Sequence, residues 1–139
     1  VRSVVGEMMD ELSTTTTTTT TTTNASPDNE GRDDNNVEIM ECANVMERLA
    51  DFLRRNGELD DAFKIGKRCL AIREKVFGVD DINTATSYNN IGVVLNAQGN
   101  YDAALVMHHR ALSIRRNVLG DHHAFTAASY NNVGGILHV

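Results

Sequence analysis

The sequence is poor in cysteine, and none of its apolar runs approaches the roughly 20 residues that a membrane-spanning helix needs. We therefore predict no association with a membrane. The two cysteines, Cys42 and Cys69, fall in helix-like stretches, and neither has a second cysteine at metal-ligand spacing. Both are predicted to be reduced, packed thiols. No signal peptide is visible, so we expect a cytoplasmic protein.

The sequence also lacks the short motifs that carry catalysis. It has no glycine-rich phosphate loop, no nucleophile elbow and no pair of carboxylates at catalytic spacing. His108–His109 and His122–His123 are adjacent pairs, and neighbouring residues on a helix point about 100° apart, which does not suit a shared metal ion. We therefore expect no enzyme, no cofactor and no metal site, with His108 packed on an apolar face.

An excess of basic residues is missing as well. Residues 1–40 carry eight acids and two bases, whereas residues 41–139 carry eleven of each, so the net charge of −6 lies entirely in the first part. A nucleic-acid-binding surface is basic, because binding displaces counterions from phosphates. We predict that nucleic acid is not a partner.

The first part of the chain also lacks an apolar face that could fold. Ten threonines run from Thr14 to Thr23, and the only proline, Pro27, lies in a polar stretch that continues to Asn36. Such a segment cannot offset the entropy of ordering its backbone. We predict that residues 1–36 form a disordered acidic tail and residues 37–139 the folded region.

The folded region contains an internal repeat of 42 residues. When residues 57–97 are compared with 99–139, 17 of 41 positions are identical, including Ser87-Tyr88-Asn89-Asn90 against Ser129-Tyr130-Asn131-Asn132. A fixed period of this size is typical of a solenoid or another repeat architecture.

Each repeat predicts two helices separated by a glycine turn. In the second repeat the first helix has Tyr88, Ile91, Gly92 and Leu95 on one face. After Gly99, the face of the second helix is predicted to consist of Tyr101, Ala104, Leu105, His108, Ala111, Leu112 and Val118. Small residues on these faces, among them Gly92 and Gly134, suit the close approach of antiparallel helices.

These residues resemble a tetratricopeptide repeat. The resemblance rests on the following positions of one unit: Tyr88-Asn89-Asn90-Ile91-Gly92, Leu95, Gln98-Gly99, Tyr101, Ala104, Ala111-Leu112 and Ile114. It covers about residues 40–139 and implies an all-α, right-handed superhelical solenoid of about five helices in antiparallel hairpins. The ordinary repeat of this family has 34 residues.

The longer period resembles the 42-residue repeats of kinesin light chain. The matching segments are Ala111-Leu112-Ser113-Ile114-Arg115, Leu119-Gly120-Asp121-His122-His123 and Asn131-Asn132. The loop proline usual in that family is replaced by Ala124, and residues 1–40 have no counterpart of the coiled-coil heptads that join the light chain to its motor.

The resemblance also implies that the first helix of each hairpin lines a concave, peptide-binding side. On that side the sequence places many asparagines, which can donate and accept hydrogen bonds at once and so suit a peptide backbone. The candidate peptide-binding residues are Arg48, Asn89, Asn90, Asn96, Asn131 and Asn132. In the alternative interpretation, one asparagine of each pair bridges or caps neighbouring helices. A second set, Arg73, Lys75, Arg110, Arg115 and Arg116, is predicted to form a solvated basic strip on the convex side.

The leading hypothesis is a module that binds a protein or peptide, as a scaffold or a cargo adaptor similar to kinesin light chain. One alternative is the regulatory repeat region of a larger enzyme or signalling protein, and another is a spacer whose groove binds nothing. The chain opens without Met and stops within a helix-like stretch, so we expect a fragment of about two and a half repeats. Its last helix would then expose an unpartnered face, which predicts self-association.

Overall fold

The computed structural model describes residues 30–138, and these residues form five α-helices and no strand. The helices are α1 (Glu30–Arg55), α2 (Leu59–Phe77), α3 (Ile82–Ala97), α4 (Tyr101–Leu119) and α5 (Ala124–Leu137). The pairs α1–α2 and α3–α4 form helical hairpins, and α5 stands where the first helix of a third hairpin belongs. The predicted all-α solenoid of five helices is confirmed.

The first helix begins at Glu30, seven residues before the predicted start of the folded region at Val37. The residues of this helix from Asp34 to Glu41 are all exposed. The polar composition that predicted disorder is therefore also compatible with an exposed helix start. The predicted tail over residues 1–29, including the threonine run, lies outside the described residues.

The turn inside each hairpin has the same hydrogen bonds in both repeats. Gly57 and Gly99 have φ of 80° and 81°, a conformation that glycine adopts without steric cost. The following residue donates back into the helix, Glu58 N to Leu53 O at 2.8 Å and Asn100 N to Leu95 O at 2.9 Å. This six-to-one bond closes a Schellman-type end, so both hairpins turn in the same way.

The connection between hairpins is repeated as well. Thr84 Oγ1 donates to Gly78 O at 2.6 Å, and Thr126 Oγ1 donates to Gly120 O at 2.8 Å. Both threonines are fully buried. A buried hydroxyl is stable only when it is hydrogen-bonded, so this bond fixes how each new hairpin starts.

The core lies between the helices of the hairpins and is built around Tyr88, which is 2% exposed. Its ring packs with Ala85 of the same helix and with Ala111 and Ile114 of α4. Its hydroxyl donates to Glu74 Oε1 at 2.6 Å and accepts from Arg110 Nη1 at 3.1 Å. The aromatic position of the repeat is therefore buried with its polar end satisfied, as a core tyrosine requires.

Two residues predicted on the apolar face of α4 are exposed, Tyr101 at 44% and Val118 at 55%. They lie at the two ends of α4, which has 19 residues against 16 in α3, so the longer helix extends beyond its partner. Cys42, predicted to be packed, is exposed on α1, whereas Cys69 is buried as predicted.

The predicted close approach at glycine is confirmed at Gly92 and wrong at Gly134. A Cβ at Gly92 would lie 2.7 Å from His108 Nε2, whereas a Cβ at Gly134 would meet nothing within 4 Å. No described helix packs on that side of α5. The described helices also include none that is long and apolar enough to cross a membrane.

Candidate functional site

Helices α1, α3 and α5, the first helices of successive hairpins, lie side by side and share what we call the first-helix face. Two side-chain bonds join them, from Asn90 Nδ2 to Glu47 Oε1 and from Asn132 Nδ2 to Asn89 Oδ1, the latter at 2.8 Å. Each bond reaches back 43 residues along the chain. The same amide bridge therefore links α3 to α1 and α5 to α3.

The candidate asparagines fall into two groups on this face. Asn89, Asn90 and Asn132 are half-buried and take part in the bridges, whereas Asn96 and Asn131 are exposed. The structure thus supports the bridging interpretation for Asn89, Asn90 and Asn132. Each bridge uses only one of the two polar atoms of the side-chain amide. Asn90 and Asn132 donate through Nδ2, and Asn89 accepts through Oδ1, so each retains a second polar atom.

A cavity of about 520 Å³ opens between α1 and α3. Two of the six candidate residues, Arg48 and Asn90, line it. Its polar wall consists of Asn44, Glu47, Arg48, Asp51, Arg54 and Asn90. Its floor includes the small residues Ala50, Ala62, Gly66 and Cys69. Asn89, Asn96, Asn131 and Asn132 lie outside this cavity.

The two repeats differ at one residue of the cavity lining. Gly66 of α2 and His108 of α4 are equivalent positions, 42 residues apart. The imidazole of His108 is 2% exposed and packs against Gly92, whereas Gly66 has no side chain and lines the cavity of the first repeat, with Ile91 Cγ1 3.3 Å from where its Cβ would lie. The first repeat therefore has a cavity lined by glycine where the second repeat has a buried imidazole.

The prediction of a solvated basic strip is wrong for Arg73, which is only 4% exposed. Its Nη1 donates to Ser87 Oγ at 2.9 Å, and its Nη2 donates to Glu47 Oε2 at 2.8 Å and to Asn44 Oδ1 at 3.0 Å. Because α2 turns this side chain inward, the guanidinium ties α2 to both α1 and α3.

The prediction is also wrong for Arg115, the equivalent residue of α4, which is 6% exposed. Its Nη1 donates to Ser129 Oγ at 2.7 Å and to Phe125 O at 3.3 Å. In both repeats the arginine and its serine are 14 residues apart. The recurrence of Arg73 with Ser87 and of Arg115 with Ser129 was present in the sequence, and it could have indicated this pairing.

The site has no activated nucleophile among its described residues. Cys69 Sγ donates to Ala43 O at 3.4 Å and lies 3.7 Å from Ser87 Oγ. Burial raises the pKa of the Cys69 thiol, and the nearby Arg73 only partly opposes this shift. The thiol therefore stays protonated and acts as a small packed group rather than as a thiolate. Within residues 30–138 no group of three or more His, Cys, Asp or Glu side chains could hold a metal ion.

Comparison with known proteins agrees with the repeat. The family model for the tetratricopeptide repeat matches residues 41–105 and 87–138. Among solved structures, the crystal structure of BtubC (BKLC) from P. vanneervenii is similar, with a TM-score of 0.64 and 23% sequence identity. The similarity covers 69% of this chain and 38% of that one, so this chain spans much less than the whole of that protein. At this level of identity the similarity shows the fold alone. No curated protein matches the sequence.

Proposed function

This chain belongs to the tetratricopeptide repeat family, and from that premise we propose that it binds a partner protein or peptide on its first-helix face. Repeats of this kind stack into extended surfaces that generally serve protein–protein interaction. The role would be that of a cytoplasmic scaffold, or of a cargo adaptor similar to kinesin light chain.

The cavity between α1 and α3 is the observation that carries this proposal. Its volume of about 520 Å³ lies within the range of ordinary ligand sites, and its floor is made of small side chains. An apolar side chain of a partner could enter it and bury surface worth about 1.5–3 kcal/mol.

The polar wall supplies the groups that would hold the backbone and the flanking residues of the partner. Arg54 is paired with Asp51 at 2.7 Å, whereas Arg48 is exposed and takes part in no described ion pair. The guanidinium of Arg48 is therefore available at the wall of the cavity. Asn90 uses Nδ2 in its bridge to Glu47, which leaves Oδ1 to accept from a backbone N–H of the partner.

The role of the cavity in peptide binding can be tested by substituting two residues of the first repeat with their equivalents from the second repeat. Ala50 and Gly66 of the first repeat are equivalent to Gly92 and His108 of the second. The variant Ala50→Gly/Gly66→His should place an imidazole in the cavity once the Ile91 side chain, whose Cγ1 would lie 3.3 Å from the new Cβ, shifts by a few tenths of an ångström. Peptides captured from a random library by the intact chain would be measured against this variant. We expect their affinity to fall by about tenfold or more, because the lost burial is worth at least 1.4 kcal/mol.

The matched control is Lys64→His, which adds an imidazole at an exposed position of the same helix. It should leave the affinity unchanged. Equal binding by the wild-type chain and the filled variant, with both folded by circular dichroism, would place the peptide elsewhere. Failure of the intact chain to capture any peptide at micromolar concentration would favour a spacer that binds nothing.

A further inference from the structure

Ser113 lies on the outer side of α4, opposite the residues that pack in the core. Ala111 and Arg115 are buried, and Ser113 between them is exposed. Two residues of an α-helix correspond to a rotation of about 200°, so Ser113 points away from both. Because Ala111 packs in the same core cluster as Tyr88 of α3, the hydroxyl of Ser113 faces away from α3.

An arginine precedes this serine by three residues. The segment reads Arg110-Ala111-Leu112-Ser113, and no other arginine of the chain has serine or threonine three residues after it. Protein kinases that modify basic substrates select this spacing, because carboxylates of the kinase bind the guanidinium of the substrate. The acceptor hydroxyl and its recognition residue therefore occur together only here in the chain.

The surface around Ser113 is a shallow depression of about 280 Å³, lined by His109, Leu112, Ser113, Arg116 and Asn117. Residues three and four positions apart lie on the same side of a helix, so a histidine, an arginine and an asparagine surround the serine. None of the five lining residues is acidic. Arg116 donates through Nε to Asp121 Oδ1 at 3.0 Å, and its two terminal nitrogens take part in no other bond among the described residues. The depression therefore offers donors to an anion.

The equivalent surface of α2 differs at the two positions that matter for an anion. Ser113 corresponds to Ala71, 42 residues earlier, and Arg116 corresponds to Glu74. Glu74 accepts a hydrogen bond from the hydroxyl of Tyr88 at 2.6 Å. Position 71 thus has no oxygen to which a phosphate could be attached, and a carboxylate would repel one there. Only the second repeat combines the hydroxyl with a cation.

From these observations we infer that Ser113 is a phosphorylation site and that Arg116 binds the phosphate once it is attached. The enzyme is a protein kinase that selects arginine three residues before the serine. In the transfer, Oγ of Ser113 forms a bond to the γ-phosphorus of a nucleoside triphosphate, and the bond from that phosphorus to the bridging oxygen breaks. The nucleoside diphosphate leaves, and the hydroxyl proton passes to the catalytic base of the kinase.

Opposite charge holds the phosphate on the folded protein. A phosphoserine carries a charge of about −1.5 to −2 at pH 7 and has three acceptor oxygens. Arg116, three residues later, can pair with it across one turn of α4. The new pair competes with the exposed ion pair between Arg116 and Asp121 and turns part of the outer surface of α4 acidic. The inference does not depend on peptide binding on the first-helix face, since Ser113 points away from α3.

The folded protein restrains Arg110, which limits when the kinase can act. Nη1 of Arg110 donates to the hydroxyl of Tyr88 at 3.1 Å, and its Cζ lies 5.0 Å from the centre of the Tyr88 ring. A kinase binds the arginine and the serine together in an extended segment, so α4 has to open locally first. Tyr88→Phe removes the hydroxyl that holds Arg110. It should raise the initial rate of phosphorylation by about 2- to 10-fold, the equivalent of one hydrogen bond.

The site can be tested by incubating the full chain with a purified basic-directed serine/threonine kinase and ATP with magnesium. Mass spectrometry of proteolytic peptides locates the phosphate, which we expect on Ser113. Arg110→Gln should lower the initial rate at that residue by about tenfold or more, because a charged hydrogen bond to the kinase is lost. The matched control Lys75→Gln, which removes an exposed cation of α2, should leave the rate unchanged.

Phosphorus NMR would test whether Arg116 binds the phosphate. The second pKa of phosphoserine is about 6, and a nearby positive charge lowers that pKa because it favours the dianion. We expect the phosphorylated wild-type chain to titrate at least about 0.3 pH units below phosphorylated Arg116→Gln.

Each part of the inference has its own contrary result. Absence of phosphate from Ser113 in both the wild-type chain and Tyr88→Phe would overturn the site, as would phosphate confined to the threonine run from Thr14 to Thr23. A rate at Ser113 that Arg110→Gln does not change, with the variant folded by circular dichroism, would overturn it as well. Identical phosphorus titrations of the wild-type chain and Arg116→Gln would overturn binding of the phosphate by Arg116.

Discussion

His108 occupies the space that Gly92 leaves open, with its Nε2 2.7 Å from where a Cβ of residue 92 would be. Both residues are buried, His108 on α4 and Gly92 on α3, so this contact sets how closely the two helices approach. A glycine in mid-helix costs about 1 kcal/mol relative to alanine, and here the packed imidazole offsets that cost.

Gly92→Ala should destabilise the protein despite its better helix propensity. The added methyl group would lie 2.7 Å from Nε2 of the buried His108 ring, and such overpacking typically costs about 1–3 kcal/mol. Chemical denaturation of Gly92→Ala, His108→Ala and the double variant would form a thermodynamic cycle. We expect a coupling energy of about 1 kcal/mol or more, because the second change removes the overlap. Purely additive effects would show that the ring moves away freely.

Asn132→Ala should destabilise the protein by about 1 kcal/mol more than Asn131→Ala. Both changes gain the same helix propensity, but only Asn132 donates a described bond to the neighbouring first helix. Urea unfolding of the two variants isolates the bridge. If Asn90 and Asn132 also hold a partner, changing both to Ala should weaken peptide affinity by about 5- to 150-fold, measured on the same samples.

Tyr88→Ala and Tyr130→Ala should differ strongly although the two tyrosines are equivalent in the repeat. Tyr88 is 2% exposed and Tyr130 is 44% exposed. Removing the buried ring should cost about 3–5 kcal/mol, as for other large aromatic side chains, whereas removing the exposed ring should cost under about 1 kcal/mol. Thermal melts followed by circular dichroism would measure this, and similar losses would mean that α5 packs against a further element.

Stability should fall as the pH is lowered below about 6.5, the ordinary pKa of histidine. Burial lowers the pKa of His108, and the charge of Arg115 lowers it further, so the unfolded chain binds a proton more readily than the folded protein. The contribution of a neutral His108 is complete above the unfolded pKa and is lost at lower pH. His108→Gln should reduce the dependence of the free energy of unfolding on pH between 5 and 7, whereas His109→Gln, at an exposed position, should not.

The repeat could be predicted from the sequence because its main determinants are local or recur at a fixed distance. The glycines at 57, 78, 99 and 120 marked the turns, and the spacing of Tyr88, Ile91 and Leu95 marked a buried helix face. The ends of the elements were harder, since the exposure of Tyr101 and Val118 depends on the relative lengths of neighbouring helices. The acidic start of α1 shows the same difficulty, because polar residues are compatible with both an exposed helix and a disordered tail.

The site could be predicted only in part, because a residue type does not reveal its partner. Arg48 and Asn90 were expected on the first-helix face, and both line the cavity. Arg73 and Arg115 were expected in solvent, because an arginine on an amphipathic helix usually reaches water. Their burial depends on serines of the next helix, 14 residues away, which a helical periodicity of three or four residues does not detect.

The amide bridges between first helices have a consequence for protein design. In each bridge an asparagine contacts the residue 43 positions earlier, so the donor and the acceptor sit at neighbouring positions of the repeating unit. Each unit thereby supplies a donor asparagine to the unit before it and an acceptor residue to the unit after it. The exposed Asn131 is at the next acceptor position of the repeat, equivalent to Asn89 and Glu47. A synthetic array could be lengthened by copying the 42-residue unit with asparagine kept at the donor position. The residue at the acceptor position, glutamate or asparagine, would then decide which buried arginine has a carboxylate partner.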